Sequence, residues 1–170
     1  MKVIITEYSP IWQALFESEK ELLQAALGEN ENIIEHMGST SVVGLAAKPV
    51  IDILIGLYDF SIANDMVAKI QALGYEYIPT YEDEMPFRRY LKKVAHGKDT
   101  HHIHMVEIGG EFWERHLLFR DYLRNNPKAM NEYADLKQKL ATEDWENTNK
   151  YADAKTSFIR GIEKKAKARK

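Results

Sequence analysis

Cysteine is missing from all 170 residues, so disulfides, thiolate metal sites and a cysteine nucleophile are excluded together. A surplus of one charge is missing too. Lys and Arg number 23 against 26 Asp and Glu, a formal net charge of −3, which leaves no global pull toward nucleic acid or a membrane surface. No apolar run approaches the roughly 20 residues a membrane-spanning helix needs. Met1–Glu7 reaches an acidic residue too early for a signal peptide, so a cytoplasmic address is expected. The basic run Lys164–Lys170 reads as a frayed helix end rather than a nucleic-acid arm.

What is present has the pattern of a globular α/β chain. The length suits one domain with a sizeable core, and 45% hydrophobic content is enough to fill it. Residues 10–26 form an amphipathic helix with Ser9 as N-cap, Pro10 at the first helical position and Gly28 past the end. Its stripe is Ile11, Leu15, Glu19 and Leu22, with Trp12, Phe16 and Leu23 beside it. A strand over 31–37 follows, then the turn Gly38-Ser39-Thr40-Ser41 opening a short helix. Residues 50–57 are almost wholly apolar, the mark of a central strand covered on both faces. The spacing then predicts a helix over 61–73, a short edge strand over 75–78 and an acidic loop over 80–86. Strands over 88–94 and 101–108 make an antiparallel hairpin around the turn 95–99. Helices over 111–124, from 127 to about 143, and from about 149 past Ile162 complete the chain. No internal repeat or linker stands out. The fold class is α/β with strands of mixed direction and a helical C-terminal third.

Several residues can carry chemistry. Gly38, Ser39, Thr40 and Ser41 offer backbone N–H groups and hydroxyls to a phosphate, or simply an N-cap to an ordinary helix. Lys48 is either a point cation for a phosphate or a solvated lysine held extended by Pro49. Asp52 sits inside an apolar strand, where a carboxylate is costly unless paired or bound to a metal. Strand alternation puts His102 and His104 on one face, with His101 and Glu107 on the other. Two imidazoles two residues apart can share a cation, with Asp52 as a further ligand. Arg88 and Arg89 point to opposite faces, so at most one reaches the cleft as a phosphate contact, and an ion pair with the acidic loop 82–84 is expected for one of them. Arg120 and Arg124, with Lys155, form either a second anion-binding lip or interhelical salt bridges.

The stretch GSTSVVGLAAKPVIDILI at 38–55 resembles the signature of the GrpB family, bacterial proteins related to the nucleotidyltransferase superfamily. The resemblance extends through Tyr8-Ser9-Pro10-Ile11-Trp12, Leu73-Gly74-Tyr75, His102-Ile103-His104-Met105-Val106, Trp113, the run 119–124 and Ala154-Lys155-Thr156-Ser157-Phe158-Ile159. It implies one nucleotidyltransferase-like domain over 1–170, a mixed sheet flanked by helices. It also implies a nucleotide or another phosphorylated small molecule as partner. Gly38, Ser39, Thr40 and Lys48 would hold its phosphates. Asp52, with His104, would hold a divalent metal, magnesium or manganese. Asp52, His102 and His104 would carry catalysis, the transfer of a nucleoside monophosphate. Active nucleotidyltransferases follow the Gly-Ser turn with Asp-x-Asp or Asp-x-Glu and add a third carboxylate on a neighbouring strand. Here Leu54 holds the second acid position, and His102 or His104 falls where the third acid belongs. Two other classes stay open: a catalytically degenerate ligand-binding module, and a metal-dependent hydrolase built on the His-x-His strand.

Overall fold

The computed structural model describes residues 1–169; Lys170, the last residue of the basic run, lies outside them. Five strands, β1 (Asn32–Met37), β2 (Ile51–Leu57), β3 (Glu76–Tyr77), β4 (Arg88–Ala95) and β5 (Lys98–Glu107), form one mixed sheet. Its spatial order is β1-β2-β5-β4-β3, with β2 and β5 parallel and every other pair antiparallel. Helices α1 (Ile11–Leu27) and α2 (Ala63–Gln71) cover one face, while α3 (Glu111–Asn125), α4 (Pro127–Ala141) and α5 (Thr148–Ala168) build up the other side.

Alternation along β2 assigns the two faces. Ile51, Ile53, Ile55 and Leu57 join Ile103 and Met105 against Trp12, Phe16, Leu23 and Leu27 of α1 and Met66, Val67 and Ile70 of α2. The opposite face starts polar at Asp52 and becomes apolar at Leu54, which lies with Met37 and Val106 under Phe112 and Trp113 of α3. Gly56 lets Trp113 lie flat there: a Cβ at this position would come 2.5 Å from both the Trp113 ring and Ile108.

Three local expectations are corrected. The first concerns α1, whose buried stripe is Trp12, Phe16, Glu19, Leu23 and Leu27. Ile11, Leu15 and Leu22 stay 59%, 42% and 50% exposed. Apolar residues line both flanks of this helix, and the flank with the large aromatic rings is the one that turns inward. Glu19 can follow because Tyr75 and Lys93 donate to its carboxylate. Second, the helix expected after Gly38 is a single 3₁₀ turn, Ser39–Ser41. Three residues build no macrodipole, so the turn offers a hydroxyl and a close backbone rather than a helix terminus. Third, the hairpin turn is the pair His96-Gly97, both at positive φ, in place of the five-residue loop 95–99.

Candidate functional site

Gly38, at φ +74°, brings the backbone against Asp52, and a Cβ there would lie 2.5 Å from Asp52 Oδ2. The β1–β2 pairing puts Met37 opposite Asp52, and the β2–β5 pairing puts His102 on its other side. A cavity of about 260 Å³ opens at this point between the turn and α4 and α5. Ser39, Thr40, Lys48, Asp52 and His102 line it from the sheet side, as do Lys137, Tyr151 and Lys155 from the helical side.

Asp52 keeps 29% of its side chain exposed, and its Oδ1 lies 3.6 Å from His102 Nδ1. His102 Nε2 is 2.8 Å from Asp99 Oδ2, so one imidazole bridges two carboxylates. Burial opposes charge on both members of the pair. The contact with His102, and then the charge of Lys155, outweigh burial and hold Asp52 below its ordinary pKa. For His102 the same burial is outweighed by Asp52 and Asp99, and its pKa rises. Each of the two groups therefore favours the charged form of the other.

His104 is placed differently. Arg88 Nη1 lies 3.2 Å from its Nδ1, and because a guanidinium only donates, Nδ1 accepts. The neutral ring then carries its proton on Nε2 and has no lone pair left for a metal. It stacks between Tyr90 and Phe112, at centroid distances of 5.1 and 5.6 Å, and burial pushes its pKa down to about 3. His101 is on the far face beside Glu19. Thr40 spends its hydroxyl on His36 Nε2 at 2.9 Å and the Val50 carbonyl at 3.5 Å. The two alanines before Lys48 are occupied as well: Ala47 bridges Thr6, and the Ala46 carbonyl takes the Lys137 ammonium.

Arg120 and Arg124 stay out of this cavity. Arg120 holds Glu35, Asp121 and the His36 carbonyl, and Arg124 donates to the Ser41 carbonyl. They brace β1 and the turn from α3 and line a separate hollow of about 500 Å³ beside α1. Arg89, as expected of one of the pair, meets Glu82 at 3.5 Å.

The helical wall brings Lys155, expected beside Arg120 and Arg124, together with Lys137, Tyr133 and Tyr151, which residue-by-residue reading passed over. Lys137 is 2% exposed, its Nζ 4.8 Å above the Tyr133 ring. Lys155 Nζ stands 4.6 Å above the Tyr151 ring, and among the described residues no carboxylate forms an ion pair with either lysine. Burial lowers Lys137 to about 7, helped by the charge of Lys155. Burial likewise lowers Lys155 to about 8, with Lys48 repelling its charge and Asp52 favouring it. The Tyr133 hydroxyl reaches Ser39, while the buried Tyr151 hydroxyl has no hydrogen-bond partner. A signal was available in the sequence. Tyr-Ala-Asp-Leu-Lys at 133–137 returns as Tyr-Ala-Asp-Ala-Lys at 151–155, a short repeat that corrects the expectation of none.

The profile of the GrpB protein family matches residues 2–165. The chain belongs to the GrpB family. Among its relatives, the UPF0157 protein YqkA of Bacillus subtilis is 41% identical over 98% of the chain, which spans about half (48%) of that relative's length. The crystal structure of the conserved protein GrpB from Enterococcus faecalis superposes with a TM-score of 0.83 at 41% identity, covering 96% of each chain. The Cid1 poly(U) polymerase, in its Mg 3′-dATP-bound form, shares the fold at a TM-score of 0.54 and 12% identity, over 81% of this chain and 43% of that one. The GrpB chain therefore has a nucleotidyltransferase-like α/β fold with a helical C-terminal part. No helix among the described residues is long and apolar enough to cross a membrane.

The donor set does not fit the metal pair of that superfamily. Bridging two ions about 3.5–4 Å apart takes several converging carboxylates. Among the described residues of this GrpB chain Asp52 is the one carboxylate lining the cavity, and Leu54 is sealed beneath Phe112 and Trp113. Among the described residues no three His, Asp or Glu side chains converge on one ion position.

Proposed function

We propose that this GrpB-family protein binds a phosphorylated small molecule, a nucleotide among the candidates, in the cavity between the Gly38–Ser41 turn and α4 and α5. The observation that carries the reading is the helical wall. Lys137, buried, and Lys155, half-buried, have no carboxylate partner among the described residues and line a cavity that Ser39 lines from the other side. Buried cations of this kind are costly to the fold unless an anion completes them. A phosphate would take hydrogen bonds from Lys137, Lys155, Lys48 and Ser39. Asp52, its charge balanced by His102, would accept a hydroxyl of the same ligand.

The fold likeness to a polymerase keeps nucleotidyl transfer as a second reading, one in which Asp52, His102 and His104 act on the α-phosphate. The buried Leu54 and the engaged ring of His104 favour a binding module over it. The His-x-His hydrolase has less support, because His104 offers no free nitrogen to an ion. Calorimetric titration with AMP, ADP and ATP, with and without magnesium or manganese, tests binding. Saturable heat that Ser39→Ala and Asp52→Ala diminish is the expected result. Absence of binding in every arm, or binding untouched by both substitutions, would refute the site. Release of pyrophosphate from ATP would instead select the transferase, and release of inorganic phosphate the hydrolase.

A further inference from the structure

Two helices of this chain present the same five-residue device. Tyr133 and Lys137 on α4, and Tyr151 and Lys155 on α5, are each four residues apart, so the lysine lies over the ring of its own tyrosine. Both lysines line the cavity that Asp52 and His102 line from β2 and β5, with the Lys137 ammonium also donating to the Ala46 carbonyl. Lys48 adds a third from the loop before β2. We infer that Lys137 and Lys155 take the place of the divalent ion in this nucleotidyltransferase-like fold, so that the ligand is a phosphate ester free of metal rather than a metal–triphosphate complex. The inference rests on the phosphate-binding reading above and names the chemical class of its ligand.

Charge and size agree on that class. A triphosphate chelating magnesium brings a cation of its own to the oxygens that bind the protein, and that cation is best met by carboxylates. Three lysines face it here against the single carboxylate of Asp52, which His102 already balances. A phosphate monoester holds magnesium weakly and offers its oxygens directly to ammonium groups. The cavity, at about 260 Å³, also lies at the small end of the range of about 300–1,000 Å³ usual for ligand sites, so it suits a phosphate monoester no larger than a mononucleotide. Leu54 completes the case. Its side chain occupies the second acid position, and the packing of Phe112 and Trp113 over it leaves no room for an ion's water shell.

The test compares AMP and pyrophosphate by calorimetry on the whole chain, in EDTA and then in excess magnesium. Both probes are expected to bind in EDTA. Magnesium should leave AMP within about twofold and weaken pyrophosphate about fivefold or more, because the chelated anion meets the lysines with part of its charge cancelled. Lys155→Met and Lys137→Met should each weaken AMP by about tenfold or more, while Lys155→Arg, which keeps the charge, restores most of the affinity. Far-ultraviolet circular dichroism and the thermal midpoint separate lost binding from lost fold, and Lys155→Arg keeps the test decisive if a methionine variant does not fold. Binding that requires magnesium or manganese would overturn the inference while leaving the phosphate site standing; methionine variants that bind AMP as the parent does would overturn the inference and the helical wall's part in that site. No binding of either probe under any condition would overturn the phosphate site itself.

Discussion

Lys155 shows how a single side chain can be poor for the fold and apt for a ligand. Its ammonium has an aromatic ring beneath it and no carboxylate beside it, and burial makes its charge costly. Replacing a buried, unpaired cation with an apolar chain of similar length is neutral or stabilising in comparable settings. Lys155→Met is therefore expected to raise the thermal midpoint by a few degrees while phosphate affinity falls; a lowered midpoint would assign the lysine to the fold instead. Gly38 makes the complementary case. Its positive φ and its contact with Asp52 leave no space for a side chain, so Gly38→Ala should displace the carboxylate and weaken binding, with a stability cost of about 1–3 kcal/mol measurable by urea unfolding. Asp52, Ser39 and Lys48 were legible from sequence because each breaks its local pattern or sits in the Gly-Ser turn. Lys137 was not, because a lysine in a polar-looking helix resembles every other solvated lysine until the helix's inward face is known.

Elements were read well where one face alone is apolar, and less well where two compete. The β2 run, the paired strands β4 and β5 and the three C-terminal helices all form close to their expected bounds. In α1 the choice between flanks depended on what waited across the interface, a depression lined by Ile34, Ile53 and Ile103 that receives Trp12 and Phe16. Sequence spacing holds no record of that depression. The assignment has a sharp consequence: Phe16→Ala should cost about 3–5 kcal/mol of unfolding free energy, and Leu15→Lys less than about 0.5. Equal losses in a denaturant titration would mean the helix had been rotated wrongly. The 3₁₀ turn after Gly38 escaped notice for a related reason, since Ser41 donates back to the Gly38 carbonyl and closes the turn before a fourth helical residue can join.

Across the whole molecule, histidines set the acid limit. His36, stacked on Phe16 and bonded to Thr40, and His116, bonded to the Phe112 carbonyl, are both pushed down to about 4, burial being the main cause. They stay neutral in the fold while the unfolded chain takes up protons below about 6.5. Their contribution is thus complete above 6.5 and lost as pH falls toward 4, at up to about 1.4 kcal/mol per histidine per pH unit. His102, whose pKa is raised, gains stability as pH falls toward 6.5 and offsets part of the loss there, but it adds nothing further at the bottom of the window, where it is protonated in both states. Unfolding free energies measured between pH 7 and 5 should decline, and a flat profile would contradict the neutral burial of these rings. The overall α/β class was legible because strand and helix periodicities differ. The strand order was not, because pairing across 50 residues depends on which edges find each other, as Asp52 finds His102.

That order bears on how the chain is made. β5 is the last strand to be synthesised, yet it lies between β2 and β4 and gives the sheet its only parallel pair. Until residue 107 has left the ribosome, Ile51–Leu57 has a bare inner edge whose apolar side chains invite any other extended chain. A nascent chain stalled before β5 is therefore sticky, and a fragment ending at Gly97 should partition to the pellet on expression while the full chain stays in the supernatant. Joining β5 to β2 is the slow, long-range closure on which the rest waits, and the lysine-lined cavity can form only after it.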